Sequence, residues 1–279
     1  MGRGKFYFSM IAVNILLSTL FFFKNEARAD DFITVASTTS TRNSGLYEYL
    51  LPIFEKQTGI KVHIVAVGTG QAIRIAMNGD ADVLLTHHRE SEEKFVEAGF
   101  GIKRFDLMYN DFVLIGPKAD PANVRDQDTI ATAFKSIAKN KSSFVSRGDE
   151  SGTHKKELLI WKIARVNLTF SPNNKWYNET GSGMGAALNV ATNLSAYVLS
   201  DRATWLQFQN KGDLKILFEN DSSMFNQYGI IVVNPEQHPH IKKEKAQKFV
   251  KWMLSDFGQK KIADFDISGY QAFYPNYKK

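Results

Sequence analysis

The chain has 279 residues, 43% of them hydrophobic, no cysteine and a formal charge of +6. That is enough apolar material for one large or two moderate cores. It excludes a disulfide framework, and so mild a positive balance gives no footing for nucleic acid while suiting a small anion.

The N-terminus, MGRGKFYFSMIAVNILLSTLFFFKNEARAD, sets Arg3 and Lys5 ahead of an apolar run from Phe6 to Phe23 and reaches the small-x-small site Ala27-Arg28-Ala29. The run is near the lower limit for a transmembrane helix, but the cleavage site makes it a secretory signal peptide, residues 1–29. This leader carries four basic residues (Arg3, Lys5, Lys24, Arg28) and one acidic (Glu26), so the expected mature charge is +3. No later stretch is apolar for long enough to span a bilayer, and without cysteine there is no lipid-anchor site. The expected product is a free, monomeric protein of a Gram-negative periplasm.

From Asp31 the pattern alternates strand, turn and helix. FITVAS at 32–37 is β-rich, TTSTRNSG is a hydroxyl-rich turn, and LYEYLLPIFEKQTG puts Leu46, Leu50, Leu51 and Phe54 on one helical face before a Gly59 stop. Pro52 should kink that helix. IKVHIVAVG at 60–68 is the next strand, TGQAIRIAMNG a short helix, ADVLLTH at 81–87 a third strand, and SEEKFVEAGFG a helix with Ser91 as its N-cap. Farther on, MYNDFVLIGP at 108–117 and YGIIVVNP at 228–235 read as two strands on which the chain crosses between lobes. Between them the pattern places helices at 129–140, 152–165 and 184–193 and strands at 143–146 and 196–199; a helix at 242–255 follows. This alternation predicts a two-lobed α/β protein, each lobe a mainly parallel sheet flanked by helices, with ligands held at strand C-termini. Lobe I is expected at 30–112 and 231–279, lobe II at 113–230.

Three strand-to-helix loops could carry chemistry. Ser37 to Thr41 is five hydroxyl residues in a row, more than one helix cap requires, placed where free backbone N–H groups and the helix dipole favour an anion. Gly68-Thr69-Gly70-Gln71 lacks the lysine of a nucleotide P-loop and the third glycine of a dinucleotide fingerprint. It can be a simple tight turn or a close backbone approach to a ligand. The third, FVSRGDESGTH at 144–154, adds the positive charge of Arg147 to the hydroxyls of Ser151 and Thr153, with Gly181 to Gly185 at a later helix start. A guanidinium forks onto two oxygens of a tetrahedral anion; its competing use is a structural pair with Asp149 or Glu150.

Other readings of that stretch are weaker. A Ser151/His154 hydrolase would need side chains three apart at a helix start to align for proton transfer, and no G-x-S-x-G elbow is present. An Arg147-Gly148-Asp149 adhesion tripeptide would need an exposed loop tip. His87-His88 and His238-Pro239-His240 lack the helical spacing and carboxylates of a metal site.

The segments STTSTRNSGLYEYLLPIFEKQTGIKV, VAVGTGQAI, GDADVLLTH, YNDFVLIGP, FVSRGDESGTHKKEL and YNETGSGMGAALNVA together resemble the periplasmic tungstate-binding proteins of ABC transporters, the TupA type. The resemblance covers nearly all of the mature chain in order. It implies a type II two-lobed periplasmic binding protein, not an enzyme, with an oxyanion held in the interlobe cleft, delivery to an inner-membrane ABC permease, and no cofactor or bound metal ion beyond the oxyanion itself. It also implies that Thr38, Thr39, Ser40 and Arg147 belong to the site, joined by Thr69, Ser151 and Thr153. Ser37 stands where the family usually has a first threonine, which keeps the hydroxyl and removes a methyl contact. Molybdate and phosphate are the nearest alternative ligands. Phosphate differs because its protonated form needs an acceptor, which Asp149 could supply.

Overall fold

The computed structural model describes residues 31–168 and 175–278; the expected leader lies outside the described residues. The first half begins with β1 (Phe32–Thr38), α1 (Thr39–Asn43), α2 (Leu46–Thr58), β2 (Lys61–Val67), α3 (Thr69–Met77), β3 (Val83–Thr86) and α4 (Arg89–Glu97). The strand β4 (Gly101–Pro117) leads into α5 (Ile130–Lys139), β5 (Phe144–Ser146), α6 (Gly152–Ile163), β6 (Tyr177–Glu179), α7 (Met184–Leu194), β7 (Tyr197–Asp201), α8 (Arg202–Gln207) and β8 (Leu214–Phe218). The chain then returns through β9 (Phe225–Val233), α9 (Lys243–Leu254), α10 (Asp256–Asp264) and three two-residue strands, β10 (Asp266–Ile267), β11 (Tyr270–Gln271) and β12 (Tyr274–Pro275).

Two mixed sheets share β4. In the first, β2, β1 and β3 run parallel, with Val35 opposite both Ile64 and Val83, and β9 joins β3 antiparallel. In the second, β6, β5 and β7 are parallel. Residues 101–111 of β4 pair with β9, while Phe112 to Pro117 pair with β7 and β8. The return crossing comes earlier than expected. Phe225 already pairs with Asp111 and Tyr228 with Met108, so the chain is back in the first sheet by Phe225 and not at the 230/231 boundary.

Both sheets are covered on both faces, and the side-chain alternation of a strand shows it. On β9, Tyr228, Ile230 and Val232 enter one core with Leu50, Phe54 and Phe249, while Ile231 and Val233 enter the opposite core with Phe95. On β4, Phe112 and Leu114 pack with Phe134, Phe144 and Trp161, and Val113 and Ile115 pack with Met184 and Trp205.

Local signals account for most element ends. Leu46, Leu50 and Phe54 make the buried stripe of α2, which ends where Gly59 adopts φ 73° and its N–H bonds Glu55 O. Pro52 lies inside a helix that runs on to Thr58, so packing of that stripe outweighs the missing backbone bond. The expected hydroxyl turn is the short helix α1, capped by Thr38. Ser91 is not the cap of α4: the helix starts at Arg89, and the His88 side chain accepts the Ser91 N–H.

Candidate oxyanion site

Four strand ends and helix starts meet between the two sheets. At the end of β1, Thr38 caps α1, its Oγ1 accepting the Thr41 N–H at 3.4 Å. The same Oγ1 is bonded to Thr41 Oγ1 at 2.7 Å and Ser40 Oγ at 3.1 Å. The Ser37 hydroxyl bonds Tyr47 instead, on the core side. At the start of α3, Thr69 Oγ1 accepts the N–H of Gly152 at 3.1 Å, tying the first half to the first residue of α6 and leaving the threonine hydrogen free to donate.

From the second half, β5 ends at Ser146 and delivers Arg147, which is 3% exposed. Gly148 adopts φ 60°, and a Cβ there would lie 2.8 Å from Glu179, so the turn requires glycine. Asp149 faces back into its own loop: one carboxylate oxygen receives the Arg147 Nη2, the other the Ser151 N–H at 3.2 Å. Ser151 caps α6 by accepting the His154 N–H at 3.2 Å. Ser182 N donates to Arg147 O, and a Cβ on Gly183, the cap of α7, would lie 3.9 Å from Thr39 Oγ1. The starts of α3, α6 and α7 thus surround the same loops, each contributing a positive dipole end.

Of the seven residues expected in the site, Thr38 bonds Ser40 directly, Thr69 bonds the N–H of Gly152 beside Ser151, and Thr39 lies next to Gly183, in the turn whose Ser182 N–H bonds Arg147 O. Three of the seven carry buried polar atoms with no protein partner: Thr39 Oγ1, Arg147 Nε and Thr153 Oγ1. Buried donors are nearly always satisfied, so three together in one set of loops mark a place built to donate. Arg147 makes the Asp149 pair and still has an unused donor, so the two uses weighed for it coexist.

His87 was set aside in the sequence as a poor metal ligand, and the structure places it here. Its Nε2 is 3.2 Å from Ser40 Oγ, and a Cβ on Gly152 would fall 2.7 Å from its Cε1. Burial, and then the Arg147 charge, lower its pKa to about 4, so the ring is neutral at pH 7. Its position at the end of β3, where a parallel sheet presents ligands, was the available signal. Among the described residues no cluster of His, Cys, Asp or Glu could hold a metal ion. The hydrolase arrangement is not formed either: His154 Nδ1 accepts the Glu150 N–H, its Nε2 makes no hydrogen bond and lies 3.9 Å from Glu179, and the Ser151 hydroxyl serves the helix cap.

Gly152 makes the closeness of the two halves testable. A methyl group there would fall 2.7 Å from the His87 ring, so Gly152→Ala should push α6 away from β3 and lower the ligand-free melting temperature. Overpacking costs about 1–3 kcal/mol, so oxyanion affinity should fall roughly five- to hundredfold. Calorimetric titration beside thermal melts checks both halves of this expectation.

Two sheets sharing one long strand, with buried, unpartnered polar groups from both gathered at strand ends, have the architecture of a two-lobed periplasmic binding protein. A family model described as a PBP superfamily domain matches residues 25–256. The tungstate-binding protein TupA of Peptoclostridium acidaminophilum is 45% identical over 258 residues, 91% of this chain and 89% of that one. Among solved structures, the TupA tungstate-binding protein of Desulfovibrio alaskensis G20 is 46% identical with a TM-score of 0.75, covering 88% of this chain and 99% of that one. A tungstate ABC transporter structure from Geobacter sulfurreducens is 47% identical with a TM-score of 0.77, covering 85% and 100%. The chain belongs to the PBP superfamily and, within it, to the TupA family.

Proposed function

We propose that this protein captures tungstate, as the tetrahedral dianion, between its two lobes in the periplasm and delivers it to the permease of an ABC transporter. The observation that carries the reading is the set of buried, unpartnered donors Thr39 Oγ1, Arg147 Nε and Thr153 Oγ1 beside three helix N-termini. The names of the relatives support tungstate as the ligand. Thr38, Thr39, Ser40, Thr69, Arg147, Ser151 and Thr153 hold the oxyanion, directly or through the backbone N–H groups they position. The protein acts as a monomer, needs no cofactor and catalyses no reaction.

The charge state of the ligand selects for such a site. Tungstate has no proton to give near neutral pH and needs donors only. Monoprotonated phosphate needs one acceptor as well, and the Asp149 carboxylate is already taken by Arg147 and Ser151 N. Molybdate has the same charge and shape as tungstate and is the second reading. Isothermal titration with tungstate, molybdate, sulfate and phosphate tests the order. Tungstate should bind tightest at one per chain, with phosphate weaker by at least about a hundredfold, or ~2.7 kcal/mol; phosphate binding as tightly as tungstate would overturn the reading.

A further inference from the structure

The hydroxyls of the first loop form one file with His87. Thr41 Oγ1 is 2.7 Å from Thr38 Oγ1, which is 3.1 Å from Ser40 Oγ, which is 3.2 Å from His87 Nε2. The file continues through His87 Nδ1 to Asn226 Oδ1 at 3.0 Å, and Asn226 Nδ2 donates to Asn110 Oδ1 at 2.7 Å.

Its direction is set at the asparagine end. Because Asn226 uses its nitrogen to donate to Asn110, its carbonyl oxygen faces His87 and receives the Nδ1 hydrogen. A neutral imidazole carries one N–H, so Nε2 accepts, and the Ser40 hydroxyl donates to it. Ser40 then receives the hydrogen of Thr38, and Thr38 that of Thr41. All three hydroxyl hydrogens point along the file, and what remains for a ligand is lone pairs. An oxyanion without protons is repelled by them.

We propose that capture of the oxyanion takes up one proton from solvent at His87 Nε2, reversing the file so that Ser40 and Thr38 turn their hydrogens to the ligand. The proposal rests on the oxyanion occupying the site described above. With Nε2–H donating to the Ser40 oxygen, the serine hydrogen is released, and that of Thr38 follows. His87 is then a positioning residue acting through Ser40.

The surroundings of the ring suit such a switch. Asn226 and Tyr228 face it from β9, the tyrosine ring with its centroid 4.9 Å away and its hydroxyl held neutral by burial. Uncharged Ser40 and Gly152 face it from α1 and α6, neutral His88 adjoins it, and Arg147 supplies the cation that opposes a proton. Burial and that guanidinium hold the ring at about 4 in the ligand-free protein, and a dianion beside it acts in the opposite sense.

The test is titration with sodium tungstate between pH 6.5 and 8.5, in two buffers of different protonation enthalpy. Uptake near one proton per anion is expected, with the dissociation constant tightening about tenfold for each unit of falling pH. In His87→Gln the amide that replaces the ring cannot take up a proton, so the binding that remains should show no pH slope and no buffer dependence. A flat profile in the parent protein, or an unchanged slope in His87→Gln, overturns the proposal; if the variant does not fold, the parent profile decides alone. Arg147→Gln separates the two levels. A flat profile with binding that depends on Arg147 removes only the proton step, and binding indifferent to Arg147 removes the site and the proton step together.

Discussion

Arg147→Gln should bind tungstate about thirty- to thousandfold more weakly than the parent while its ligand-free form melts within a few degrees of it. The substitution deletes the one full positive charge among the loop donors and the unpartnered Nε with it. Loss of a charge-assisted forked contact is worth ~2–4 kcal/mol. The fold should survive because Asp149 keeps the Ser151 N–H and the apolar cores do not include this side chain. Arg147→Lys should recover only part of the affinity, since an ammonium cannot fork. Dissociation constants from calorimetry, set beside ligand-free melts, check this. Unchanged tungstate affinity in Arg147→Gln would reduce Arg147 to a structural partner of Asp149.

Glu92→Ala should be among the most destabilising single changes in the first half. Glu92 is fully buried on α4 and accepts Thr86 Oγ1 at 2.7 Å, His88 N at 2.9 Å and Arg104 Nε at 2.7 Å. Truncation leaves the Arg104 guanidinium, itself only 8% exposed, with Asp106 as its remaining ion partner. Breaking a buried pair from one side costs about 3–5 kcal/mol. Because the same carboxylate holds the His88 N–H and the Thr86 hydroxyl, the turn that carries His87 should loosen, and tungstate affinity should fall too. Urea unfolding at pH 7 measures the first effect and titration the second; a shift below about 1 kcal/mol would show that the pair contributes little.

Much of the architecture was legible because its signals are local. Strand, small polar loop and helix recur with caps and glycine stops in place, so α2, α6 and α7 begin where the pattern puts them. The arginine loop was legible for the same reason: every residue of 144–154 that matters lies within one strand-to-helix turn. What escaped depends on distant partners. His87 reaches Ser40 and Asn226 across 47 and 139 residues, and nothing near it in the chain announces either contact. Glu92 sits in a run of charged residues with nothing to single it out, although its spacing of three from buried Phe95 places both on one side of the helix. The return crossing was placed too late because the polar pair Asn226 and Gln227 separates Phe225 from the apolar run that follows, while the pairing of Phe225 with Asp111 shows where the first sheet resumes.

The sharing of β4 also bears on the order in which the molecule assembles. The strands of the second sheet are continuous in the chain from Phe112 to Phe218, so that sheet can close from neighbouring segments with modest loop entropy. The first sheet cannot: its central strand β9 must return to β3 and β4 from more than a hundred residues away. Contacts of that sequence separation form late. In a chain that emerges from its N-terminus, the early strands β1 to β3 therefore wait, edge exposed at β3, until the last quarter arrives. The middle of the chain is then the folding template, and the segment that completes the first sheet is also the one that brings Asn226 to His87.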